Sequence, residues 1–128
     1  MAQQENWKAQ PDTHDYPAAG DYLSLVLDAA TAAAVVDALQ RAPLVTRKAK
    51  DLLRASRLEE LPRDNPHVAS DLGKVKAGKG LSPVLLVRGS LRDGVPLTIA
   101  DGYHRICASY LLDEDAAIPC RIVDLPQR

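Results

Sequence analysis

The residues of this chain best suited by type and spacing to hold an anion form one pentad, Asp101-Gly102-Tyr103-His104-Arg105. Leu97, Thr98, Ile99 and Ala100 alternate before it, and Ile106, Cys107, Ala108 and Leu111 follow at helical spacing. The pentad therefore reads as a strand that turns directly into a helix. Such a turn brings unpaired backbone N–H groups and the positive end of the helix dipole to one point. Gly102 lets a phosphate approach the backbone closely, Arg105 can grip phosphate oxygens bidentately, and His104 can donate from one ring nitrogen. Arg105 is expected to face this pocket and not the core. Tyr103 flanks it, where its ring could stack on a base. Asp101 either caps the helix or holds His104 or a magnesium-bound phosphate.

Other reactive side chains carry less. Lys79 lies with Lys74 and Lys76 beside Gly78 and Gly80, a composition able to wrap phosphates but without the Walker spacing that ends in Gly-Lys-Ser/Thr. Arg47, Lys48, Lys50, Arg54 and Arg57 read as the solvated face of a helix. His67 reads as polar surface in the first turn of another, and His14 falls in an irregular leader. With no acidic partner at ligand spacing, the three histidines make no case for a metal site. Cys107 and Cys120 sit in apolar segments outside any Cys-x-x-Cys pair, so both are expected to be reduced core thiols.

The elements that would position the pentad follow from periodicity and punctuation. Residues 1–19 show no period and are expected to form a weakly ordered leader, with a single domain over 20–128. Tyr22-Leu23-Ser24-Leu25-Val26-Leu27 reads as a first strand, and Asp28 caps a helix over 29–41 whose Ala32, Val35, Val36 and Leu39 share a face. Thr46 is expected to cap a second helix over 47–55. Asn65-Pro66 is a strong start signal for a third over 66–76. Strands are expected over 83–88, 95–100 and 118–123, with a hairpin loop at Gly89 to Gly94 and a last helix over 103–113. The class is α+β, a small mixed sheet flanked by helices with an N-terminal strand-helix extension.

Composition bounds the function. The chain has 128 residues, 46% hydrophobic and 26% charged, enough apolar material for one core. Its formal charge of -1 balances 16 basic against 17 acidic residues, which argues against a nucleic-acid coat or an anionic-membrane binder. No apolar run approaches the roughly 20 residues of a membrane span. The N-terminus lacks a secretory pattern, so a cytoplasmic location is expected.

Residues 58–123 resemble the core of the ParB/sulfiredoxin-like superfamily. The likeness rests on Gly80-Leu81-Ser82-Pro83-Val84-Leu85-Leu86-Val87, on Asp101-Gly102-Tyr103-His104-Arg105-Ile106-Cys107-Ala108 and on Ile118-Pro119-Cys120-Arg121-Ile122-Val123. The resemblance implies a ParB-like N-terminal domain fold that binds a nucleoside triphosphate, ATP or CTP, at Gly102, Tyr103, His104, Arg105 and Lys79. It also implies an ATP-using phosphotransferase as one activity, for which Asp101, Glu59 and Glu60 are the candidate catalytic acids. Tyr103 stands where sulfiredoxins have their nucleophilic Cys, and a phenol with a pKa near 10 is a poor nucleophile, so sulfinic-acid repair is not expected. No helix-turn-helix follows Val123, so DNA partitioning is not expected either. The alternative is a non-enzymatic interaction or regulatory module of the same fold with a protein partner; a nuclease or DNA-binding role ranks below both.

Overall fold

A computed structural model describes residues 5–126. The chain is α+β. Strand β4 (Val84–Val87) explains the layering, because all four of its residues are buried. Val84 and Leu86 pack into one apolar cluster and Leu85 and Val87 into another, as alternation demands of a strand covered on both faces. On one face lie α1 (Asp15–Leu23) and α2 (Ala29–Arg41), through Tyr16, Ala19, Leu23, Val35 and Leu39. On the other lie α3 (Ala49–Ser56), α4 (Pro66–Lys76) and α5 (Tyr103–Leu112), through Leu52, Val68, Ile106 and Cys107.

The mixed sheet runs β2 (Val45–Lys48), β6 (Ala117–Val123), β4, β5 (Thr98–Asp101). Strand β6 is parallel to β4 and antiparallel to β2, and β4 and β5 are antiparallel. A separate parallel pair joins β1 (Asn6–Trp7) to β3 (Gly80–Leu81). The two signalled helix starts form as their caps dictate. Asp28 accepts from the Thr31 N–H at 2.8 Å, and Asn65 accepts from the N–H groups of His67 and Val68 with Pro66 behind it.

Three expectations need correction. Residues 22–27 are not a strand: Tyr22 and Leu23 end α1, and Leu25 and Val26 are 82% and 59% exposed, which a covered strand would not allow. Residues 5–19 are not a loose leader, because Tyr16, Ala19 and Leu23 at i, i+3 and i+7 bury one face of α1 against α2 and β5. Glu5 accepts a hydrogen bond from Ser109, and residues 1–4 lie outside the described part. Thr46 does not cap a helix; it lies opposite Pro119 in β2, and α3 begins only at Ala49. Both cysteines are free and buried, and burial pushes the Cys107 thiol up and that of Cys120 to about 11. Among the described residues no helix is long and apolar enough to cross a membrane.

Candidate functional site

Strand β5 runs into α5 through Gly102, as the pentad suggests. Gly102 is the N-cap residue at φ 108, and no side chain caps the helix there. A Cβ at Gly102 would meet Val84 Cγ1 at 2.4 Å, so only glycine lets the turn lie against β4.

Arg105, placed by the first turn of α5, does not project into open solvent. Its side chain is 13% exposed. Nη2 donates to Asp101, while Nη1 donates to the Ser82 carbonyl and lies 3.4 Å from Asp15 Oδ2. Ser82 completes the knot: its hydroxyl donates to Asp15 and accepts from the Asp12 N–H at 2.9 Å. Asp101 is thus the ion-pair partner of Arg105; it neither caps α5 nor holds His104 by any hydrogen bond among the described residues. Burial pushes the Asp101 carboxyl above its usual range, with Arg105 opposing.

Arg105 lines a polar cleft of about 180 Å³, shared with Lys8, Asp12, Asp15, Asp71 and Lys74. The N-terminal segment, α4 and the β3–β4 turn thus all reach the start of α5. Lys8 and Lys74 are about half exposed and pair with Asp12 at 2.8 Å and Asp71 at 3.8 Å. Asp71 is nearly buried, and desolvation raises its pKa against the pull of Lys74, Arg105, His104 and His67. That direction suits a proton acceptor in a cleft. The ring of His104 lies 4.6 Å from that of His67 of α4, tilted by 41°. Burial, then the neighbouring His67, depresses the His104 pKa, which favours the neutral imidazole.

The structure brings together Asp101, Gly102, His104 and Arg105 but scatters the other candidates. Lys79 is exposed on the α4–β3 turn, and Glu60 borders a different hollow beside Arg57. Glu59 contributes only its backbone carbonyl, which accepts from the Tyr103 hydroxyl. Residues that sequence reasoning missed are Lys8, Asp12, Asp15 and Asp71. His67, Asp71 and Lys74 recur at i, i+4 and i+7, the one signal that could have placed Asp71 on a shared face of α4. The premise that no histidine has an acidic partner at ligand spacing also fails, since His14 Nε2 lies 3.4 Å from Asp15 Oδ1. Asp12, His14 and Asp15 offer three ligand atoms within 4.8 Å of one another, although Lys8 and Arg105 already engage the two carboxylates. Comparison with protein-family models, with curated proteins and with solved structures returns no match.

Proposed function

We propose that this chain is a nucleotide-binding domain of the ParB/sulfiredoxin-like kind that takes the phosphates of a nucleoside triphosphate in the cleft beside the first turn of α5. One observation supports this above the rest: Arg105, Lys8, Lys74 and His14 converge with three carboxylates in a polar hollow next to a helix start that no side chain caps. A lining of both signs suits a ligand of both signs. The lysines would neutralise phosphate oxygens, and Asp12 and Asp15 carry the oxygen ligands that magnesium takes. When bound, magnesium would supply further neutralisation of the phosphates. The hollow is smaller than the roughly 300–1,000 Å³ of whole-ligand pockets, so it suits the phosphate end, with sugar and base lying outside near the rings of Tyr103 and His104.

Because Arg105 is tied into the fold, the lysines are the better probes. Calorimetric titration of ATP, CTP and GTP, with and without magnesium, is expected to give binding of at least one nucleotide, strengthened by magnesium. Lys8→Ala combined with Lys74→Ala should weaken it roughly tenfold, the loss of about 1.4 kcal/mol expected when two exposed charge contacts go. No heat with any nucleotide, or an unchanged affinity in the double variant, would overturn the assignment.

A further inference from the structure

The geometry points to a second site at the opposite end of the sheet: a groove between α3 and the β4–β5 hairpin that docks an acidic, apolar-bearing segment of a partner protein. The polar cleft opens at the start of β4 and the end of β5; this groove opens where β4 ends and β5 begins. Its volume is about 390 Å³. Leu52, Ala55, Leu97 and Ile122 make an apolar floor, held together by the Leu97 N–H, which donates to the Ala55 carbonyl at 3.0 Å.

Four guanidiniums, those of Arg47, Arg54, Arg57 and Arg88, line the groove against the single carboxylate of Asp51. That local excess of three positive charges stands in a chain whose formal charge is -1. These arginines are weakly engaged. The Arg57 side chain makes no hydrogen bond or ion pair among the described residues, and Arg47 donates only to the neighbouring Thr46 carbonyl. Arg54 lies 3.5 Å from Asp51, and Arg88 pairs at 2.8 Å with Asp124, a residue outside the groove. Arg57 also ends α3 at φ 59, the only positive φ among the described non-glycine residues. A glycine would close the helix there with less strain, so an arginine is held at some conformational cost at the rim of an arginine-lined hollow.

The apolar surroundings select the kind of occupant. Leu91 is 94% exposed and Val95 48% exposed on the hairpin side of the groove, and Leu58, next to Arg57, is 43% exposed. A small anion filling the hollow would leave Leu91 in water. A nucleic acid would meet an aliphatic floor with neither an aromatic ring to stack on nor a lysine among the described lining residues. A polypeptide with carboxylates set between apolar side chains satisfies both the arginines and the exposed leucine, its binding energy coming from apolar burial at the centre and its selectivity from the charged rim.

The test is selection of a displayed random dodecapeptide library on the intact protein. Fluorescence anisotropy of the recovered peptides then follows, on wild type, on R47E/R57E and on Leu91→Ser, with folding of each variant checked by circular dichroism. Recovered peptides are expected to combine Asp or Glu with Leu, Ile or Phe, to bind R47E/R57E at least tenfold more weakly, and to lose about threefold on Leu91→Ser. Recovered peptides without acidic enrichment, or with undiminished affinity for R47E/R57E, would overturn the assignment. So would displacement of the peptide by a twelve-residue oligothymidylate that binds more tightly, which would mark the groove as a nucleic-acid site. Neither this test nor the nucleotide titration depends on the outcome of the other.

Discussion

The guanidinium of Arg105 lies 3.4 Å from the carboxylate of Asp15, a residue 90 positions earlier in the chain. The two stand on α5 and at the start of α1, on opposite faces of the sheet, and both are largely buried. Through Ser82 they also hold the turn that leads into β4. The N-terminal segment is therefore part of the domain, and Asp15 and Arg105 both line the cleft beside α5.

Arg105→Ala should consequently destabilise the protein. Removing the cation leaves the buried Asp15 and the half-buried Asp101 carboxylates without their guanidinium, Asp15 keeping only Ser82 and His14 beside it, a change expected to cost about 3 kcal/mol. Arg105→Lys should restore part of this, since an ammonium supplies the charge but not the planar fork that reaches Asp101 and Ser82 together. Urea unfolding of the three proteins checks it. Equal midpoints for wild type and Arg105→Ala would show that the contact contributes no net stability.

The pair of histidines predicts a pH dependence. Burial and His67 hold the His104 pKa below its ordinary 6.5, so on acidification the unfolded chain takes up that proton before the folded one does. Stability should therefore fall as pH drops below about 6.5. Asp71 works in the opposite sense: burial raises its pKa above 3.8, so the folded state holds that proton more tightly, and the stability this contributes in acid is lost as pH rises. Comparing wild type with His104→Gln isolates the histidine. Between pH 7.5 and 5.5 the wild type should lose more unfolding free energy than the variant, and equal losses would mean that His104 does not govern the slope.

Much of this architecture is legible where a local signal and the tertiary structure agree. Asn65-Pro66 marks the start of α4, Asp28 that of α2, and the run Val84-Leu85-Leu86-Val87 reads as a strand because burial on both faces leaves no polar position to blur it. Helix α1 is hidden because its apolar face of Tyr16, Ala19 and Leu23 is spread through a polar stretch interrupted by Pro17 and Gly20. Strand β2 is four residues long and owes its form to pairing with β6, a partner some 70 residues away that no local window contains. The pentad shows where the site begins. Its partners Asp15 and Asp71 come from α1 and α4, and only folding brings them to Arg105 and His104.

Arg121 should matter more than a lone charge in a strand suggests. Its Nη1 donates to the Gln40 carbonyl at 2.9 Å and to those of Ala42 and Leu39, and Nη2 donates to Gln10 at 2.6 Å. A buried cation thus closes the C-terminus of α2, where carbonyls lack intrahelical donors. Arg121→Met fills similar space but satisfies none of them and should cost about 2–3 kcal/mol. Hydrogen exchange should then accelerate in the last turn of α2 before it does in α4; uniform acceleration would assign the loss to the core instead.

Gly102→Ala separates two reasons for glycine at the head of α5. At φ 108 any L-residue is strained, by roughly 1–2 kcal/mol. The added methyl would also lie 2.4 Å from Val84 Cγ1 and 2.8 Å from Val84 Cβ, and forcing atoms into a packed core typically costs about 1–3 kcal/mol more. The first cost belongs to the backbone, the second to Val84, which is fully buried and has no room to retreat. A double-mutant cycle with Val84→Ala measures the difference. If the clash is real, Gly102→Ala should be less destabilising in the Val84→Ala background by about 1 kcal/mol or more. If its cost is the same in both backgrounds, the Val84 Cγ1 contact contributes nothing, and the need for glycine rests on its φ and on the 2.8 Å approach to the Val84 Cβ that alanine also carries.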